Sequence, residues 1–142
     1  MIIWNLNLVT TFFLIGLIWI IQLVQYPGFL KVPPGQFPVF HNHHCRAITR
    51  VVLPAMGGQC LLALFLLLPG LGKGVPGFLV WLNLLLVLIT WVSTIWIQAP
   101  LHGRLATFGW DDERIRTLIR SNWIRTAAWT LQGGLLFYFI RN

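Results

Sequence analysis

Three of the chain's four histidines, His41, His43 and His44, fall within four residues of one another, and the fourth, His102, follows Gln98-Ala99-Pro100. Two imidazoles three residues apart share a helix face. With a third nearby they offer nitrogen ligands to a metal ion, a haem iron or a chlorin magnesium. His41, His44 and His102 are therefore the candidate metal ligands, and which of these groups they would take stays open. Cys45, beside the histidines, is a further candidate ligand. Gln22, Arg50, Gln98, Asn122 and Arg125 form a second group. Amides and guanidinium groups donate hydrogen bonds to a neutral carbonyl or an anionic headgroup. A quinone, a carboxylate-bearing lipid or a pigment tail would suit that set.

Several chemistries are missing. The chain has only three acids, Asp111, Asp112 and Glu113, adjacent to one another. Di-iron carboxylate chemistry needs several Glu on facing helices, and a proton relay of the usual kind needs carboxylates inside the membrane. No Ser-His-Asp pattern and no Gly-rich phosphate loop occurs. Cys45 and Cys60, 15 residues apart on one expected helix, would be separated by about 22 Å, too far for a disulfide.

The elements that must position these groups are membrane spans. Hydrophobic residues make up 57% of the 142 and charged residues 9%, against about a quarter charged in ordinary globular chains. A water-soluble surface cannot be covered with so few charges, whereas lipid accepts an apolar exterior. Four apolar stretches, near residues 2–25, 47–68, 77–98 and 122–140, each approach the ~20 residues that cross a bilayer core. The fold class expected is all-α: a single domain over residues 1–142, a transmembrane four-helix bundle running up-down-up-down. The first stretch has no basic start and is too long for a signal peptide, so it reads as a retained span.

Orientation follows from the cations. Lys31, Arg46, Arg50, Arg104, Arg114, Arg116, Arg120 and Arg125 cluster around the first and third connections; Lys73 and Arg141 alone lie on the other side. The positive-inside rule makes those two connections cytoplasmic and both termini non-cytoplasmic, in the cell (inner) membrane. The net charge of +7 then belongs to loops facing anionic lipids; no nucleic-acid-binding motif is present. Arg46, Arg50 and Arg120 also have the simpler role of snorkelling to lipid phosphates. Within the connections, Pro38 suits the first turn of a second helix running through the histidines, Pro54 falls inside it and implies a kink, and Asp111-Asp112-Glu113 begins the fourth. Trp4, Trp19, Trp96, Trp110 and Trp123 fall where an aromatic belt lies, and Gly57-Gly58 and Gly133-Gly134 suit close helix contacts. All the histidines and most polar intramembrane residues gather at the cytoplasmic end, so the outer half is expected to be plain packing.

Four motifs together resemble an uncharacterised family of small bacterial four-helix integral membrane proteins. They are Gln22 to Val24 followed by Tyr26-Pro27-Gly28-Phe29; Phe40-His41-Asn42-His43-His44 running to Pro54-Ala55-Met56; Gln98-Ala99-Pro100-Leu101-His102; and Asn122-Trp123-Ile124-Arg125-Thr126-Ala127-Ala128-Trp129. The resemblance covers nearly the whole chain and implies the four-helix fold without an activity. In that family an acid tends to occupy the place of Gln59, where this chain has an amide. A looser likeness, in size and span number only, is to anthrone-oxygenase-like membrane proteins.

Two functions from different classes fit these residues. One is a binding or accessory subunit of a membrane complex, associating with other subunits or with itself and holding a lipophilic ligand in the polar pocket. The other is a membrane oxidoreductase or isomerase that uses a His-bound metal or haem on a quinone-like substrate. A transporter is disfavoured, because the chain lacks an inverted repeat of broken helices.

Overall fold

The computed structural model describes residues 2–71 and 74–141, with backbone only at 140 and 141. Lys73 and the Arg141 side chain, the two cations of the sparse side, lie outside them. The described chain is all-helical and forms four long helices: α1 (Ile2–Phe29), α2 (Phe37–Phe65), α3 (Gly77–Phe108) and α4 (Asp112–Arg141). The first three are long and apolar enough to cross a membrane, with mean hydropathies of 2.1, 1.5 and 2.2 over their most apolar windows. α4, at 30 residues, is long enough but carries Asn122, Arg125, Gln132 and several Thr among its apolar residues.

The inward face of α4 explains its composition. Asn122, Arg125, Trp129, Gln132 and Leu136 are all buried and recur at three- and four-residue steps, one stripe of a helix. The other helices turn apolar side chains outward: Phe78 is 69% exposed, Trp81 64% and Trp96 69%, while Asn7, Thr11, Gln59, Asn83 and Thr90 are fully buried. An apolar exterior, with polar groups of the helices drawn into an interior that they share with apolar side chains, is unlike the surface of a water-soluble domain. It suits lipid, since a polar group facing hydrocarbon has no partner.

The element boundaries differ from the expected spans at the histidine end. α1 continues past Gln25 to Phe29, and α3 continues past Gln98 to Phe108. Proline does not stop either helix, because each first widens by one turn. Residues Ile21–Gln25 and Thr94–Gln98 are π-helical, with the amide of Tyr26 donating to the carbonyl of Ile21 and that of Ala99 to Thr94. Pro27 and Pro100 then fall in the first turn of a short helical segment, where their missing N–H is not needed. The two halves of the chain thus repeat one order: a helix with a π turn and a proline, a connection, then a long helix. In this repeat Phe29 and His102 occupy the same place, two residues after proline. α2 opens with Pro38 in its first turn and runs through Pro54. α4 is capped by Asp111, whose Oδ1 accepts the amide of Arg114 at 2.8 Å, and Asp112 pairs with Arg116 at 2.7 Å.

Two expectations are corrected. Of the paired glycines only Gly133 marks a close approach: a Cβ there would collide with Cδ1 of Ile15, whereas Gly57, Gly58 and Gly134 have open space. Trp4 is no belt residue, being fully buried edge-on against Phe139. Trp96 and Trp123 do lie exposed.

The end of the bundle away from the histidines is not plain packing either. Gln59 lies at the centre of a buried amide network to which every helix contributes. Its Nε2 donates to Thr11 Oγ1 at 2.8 Å and to Gln132 Oε1 at 3.1 Å, and its Oε1 accepts the Trp129 indole N–H at 3.0 Å. Gln132 Nε2 in turn donates to Asn83 Oδ1 at 2.8 Å. Hydrophobic burial does not draw helices together in lipid, so packing and such interhelical bonds hold them in register. Gln59→Leu keeps the bulk but strands the partner groups on α1 and α4. A loss of about 2 kcal/mol is expected, read as an earlier midpoint in detergent-to-SDS unfolding; an unchanged midpoint would show that the network contributes nothing.

Candidate functional site

The π turns place the site. By widening α1 and α3 just before their prolines, they turn Gln22 and Tyr26 from one side, and Thr94, Gln98 and His102 from the other, toward α4 and α2. π turns inserted in α-helices are frequent at functional sites.

The first layer is a directed hydrogen-bond chain ending in a buried cation. Gln22 Nε2 donates to the Ile119 carbonyl at 3.1 Å, and its Oε1 accepts from Asn122 Nδ2 at 2.8 Å. Asn122 Oδ1 accepts from Arg125 twice, from Nε at 2.9 Å and from Nη2 at 2.5 Å. Arg125 Nη2 also donates to the Tyr26 hydroxyl and Nη1 to Thr94 Oγ1, each at 3.2 Å. Every acceptor is neutral. Arg125 is only 5% exposed, and the chain's three acids all sit at the start of α4, where Asp111 and Asp112 pair with Arg114 and Arg116. Of its five N–H groups, the second on Nη1 has no acceptor among the described residues.

Tyr26 links this layer to the second. Its hydroxyl lies 3.0 Å from His102 Nε2, and His102 Nδ1 lies 3.0 Å from His41 Nε2. Cys45 Sγ is 3.5 Å from each of those two ring nitrogens. His41 is fully buried between Phe37 and His102, its ring centroid 5.2 Å from each. Phe29 packs edge-on against His41, His44 and His102, closing the cluster from above.

A cavity of about 340 Å³ adjoins both layers. Its walls are mostly apolar, with Ile48 and Val52 from α2, and its polar lining includes Thr94, Gln98, His102, Cys45 and Arg125. Thr49, Leu53 and Ala99, which also line it, are exposed on the outside of the bundle. The cavity therefore opens sideways between α2 and α3, onto the face that lipid would cover.

The structure sorts the residues singled out from the sequence. Gln22, Asn122 and Arg125 form one bonded unit. Gln98 is buried beside it and donates to Ser121 Oγ at 3.0 Å, while its Oε1 is buried without a partner. Arg50 is exposed and belongs to no part of this arrangement, which fits the snorkelling role. Of the histidines, His41 and His102 meet. His44 is buried beside them, but its Nε2 has no hydrogen bond and Cys45 takes its place in the ligating geometry. His43 is exposed. His102 lies on α3 itself, beyond Pro100 and just past the expected end of the span at Gln98. Tyr26 and Thr94 were missed as site residues. Tyr26 had a signal, its four-residue spacing from Gln22; Thr94 had none beyond sharing a face with Gln98.

No family model, curated protein or solved structure matches the chain.

The contrast between Arg50 and Asn122 is testable. Arg50→Ala is expected to leave the SDS unfolding midpoint unchanged. Asn122→Leu removes the acceptor that Arg125 uses twice and the donor to Gln22, leaving a buried cation short of partners; a loss of about 3 kcal/mol is expected in the same titration. Equal effects of the two would refute the arrangement described.

Proposed function

We propose that the chain is a small integral membrane protein that binds an amphipathic molecule with an anionic or carbonyl head, as a binding or accessory subunit of a membrane complex. The observation that carries this reading is Arg125. A guanidinium buried away from any carboxylate holds an uncompensated charge, and one N–H without an acceptor, at the wall of an apolar cavity. An anionic headgroup, or the carbonyl of a quinone-like molecule, would meet both, with its tail along Ile48, Val52 and Leu53. The sideways opening supports entry from lipid. The exposed Phe78, Trp81 and Trp96 on α3 leave a broad apolar face for other membrane subunits or a second copy, and the arginines of the connections suit anionic lipid headgroups.

In this reading the four helices run up-down-up-down in the cell (inner) membrane. The pairings support that order: Trp4 meets Phe139 while Gln22 meets Asn122, Thr11 meets Gln59 while Tyr26 packs near His44, and Asn83 meets Gln132 while Gln98 meets Ser121. The cation-rich connections would be cytoplasmic and both termini outside. A second reading, a membrane oxidoreductase or isomerase acting on the same class of lipophilic molecule, is favoured by one observation: His41, Cys45 and His102 converge beside the cavity.

Two measurements check these proposals. Mass spectrometry of lipids retained by full-length protein extracted in mild detergent is expected to find an acidic or quinone-like amphiphile. Its amount should fall about tenfold or more in Arg125→Gln, since a hydrogen bond to a charged group contributes about 1.5–3 kcal/mol, and stay unchanged in Arg50→Ala. Equal retention by wild type and Arg125→Gln would sink the ligand assignment. For topology, a reporter active only outside the cytoplasm is expected to work when fused at either terminus and to fail when inserted at Gly109.

A further inference from the structure

We propose that His41, Cys45 and His102 form a transition-metal site of the zinc class, with a fourth coordination position open toward the cavity. This goes beyond the ligand reading above and does not depend on it.

The three atoms already stand at the edges of a coordination tetrahedron. Bonds of about 2.0–2.1 Å to nitrogen and 2.3 Å to sulfur at tetrahedral angles put ligand nitrogens about 3.3 Å apart and nitrogen and sulfur about 3.5 Å apart. Here His41 Nε2 and His102 Nδ1 are 3.0 Å apart, and Cys45 Sγ is 3.5 Å from each. One face of a tetrahedron is thus formed with side chains from two helices and little movement needed. His41 and Cys45 come from successive turns of α2, four residues apart, so one helix face fixes both; His102 arrives from α3 because the π turn before Pro100 carries it round.

The donor set selects the metal class. Two imidazoles and a thiol suit zinc and its neighbours and are poor ligands for magnesium or calcium, which take oxygen. The surroundings are those of a held ligand. A metal-binding histidine usually gives its other ring nitrogen to an outer partner that fixes its tautomer. His102 Nε2 does so with the Tyr26 hydroxyl at 3.0 Å, and Tyr26 is itself fixed by Arg125. Phe29 and Phe37 cover the cluster on the side away from the cavity. Cys45 and His102 line the cavity while His41 does not, so the open vertex faces it. A site with three protein ligands and one open position is the catalytic type; structural zinc sites are closed by four. His44, the nearest further candidate, lies outside the ligating triangle and is not required.

The experiment uses the full-length protein in detergent, stripped with a chelator and reloaded with Zn²⁺ or Co²⁺. Elemental analysis is expected to find one metal per chain. The Co²⁺ form should show a thiolate-to-cobalt charge-transfer band and the visible bands of a tetrahedral ion. The charge-transfer band should vanish in Cys45→Ser and persist in Cys60→Ser and His44→Ala. Zn²⁺ affinity should fall about a hundredfold or more in His102→Ala, and about tenfold in Tyr26→Phe, which removes only the outer partner. Absence of these bands in the wild type overturns the proposal whatever the variants do, and their persistence in Cys60→Ser assigns the thiolate to Cys45 even if Cys45→Ser fails to fold. Helical wild-type protein without stoichiometric metal, or a thiolate band that survives in Cys45→Ser, would overturn the proposal.

Discussion

A buried guanidinium with no carboxylate within reach constrains most of this structure. Moving a charge out of water costs several kcal/mol even when the surroundings relax, and a membrane interior offers no water to restore it. Arg125 is held by neutral groups only, two bonds to one amide oxygen and one each to a phenol and a threonine hydroxyl. Those acceptors come from α1, α3 and α4, so three helices must meet in one register for the cation to be tolerated at all. Asn122 cannot turn away, because its own amide N–H is committed to Gln22, and Gln22 is committed to the backbone of α4. Because α4 brings Arg125 and Asn122, it cannot be the apolar rod that α1 and α3 are. Its outward face, with Trp123, Ile124, Leu131 and Phe137 exposed, still joins the apolar exterior that the other three helices present.

That trade explains which parts of the fold were legible in the sequence. Composition and the spacing of apolar runs were enough for four helices, because lipid permits few alternatives. The inward side of each was harder to see. Through its apolar stretch α3 is apolar on both faces except at Asn83, Thr90, Ser93, Thr94 and Gln98, and these few polar residues mark the inside. A pattern read for hydrophobicity alone points the wrong way in such a helix. The convergence of Gln22, Gln98, Asn122 and Arg125 was legible because each is an expensive residue at similar depth. Arg50 satisfied the same criterion and is exposed; nothing in its type or depth separates a snorkelling arginine from a buried one. The amide network around Gln59 escaped because its members lie on four helices at unrelated positions in the chain, and only the packing aligns them.

The π turns were out of reach for a different reason. Proline in a helix is ordinarily a terminator or a kink, and the expected ends at Gln25 and Gln98 follow from that rule. Here one extra residue in the preceding turn absorbs the missing hydrogen bond and lets each helix continue. The extra residue also rotates everything beyond it, so His102 faces Tyr26 and His41 instead of the outside of the bundle. The two halves of the chain use this device in the same order but fill the equivalent position differently. After the first proline stands Phe29, a cover for the cluster; after the second stands His102, a member of it. A repeated backbone with one apolar and one ligating residue at matching places makes a single site out of two similar halves.

The bundle therefore holds two polar layers that answer to different demands. Around Gln59 every group is neutral, the central amide is bonded on both its oxygen and its nitrogen, and the bonds run between helices; what such a layer does best is fix register. Around Arg125 the charge is not balanced, and a cavity lies alongside. If register were all that the second layer served, an asparagine or glutamine at position 125 would do the same work at lower cost, as Gln132 does two turns further along the same helix. Retaining a full cation beside an apolar cavity makes physical sense where something of opposite polarity completes it. The same reasoning applies to the histidines, since aromatic carbon rings would fill the space among Phe29, Phe37 and Tyr26 without leaving ring nitrogens to be satisfied.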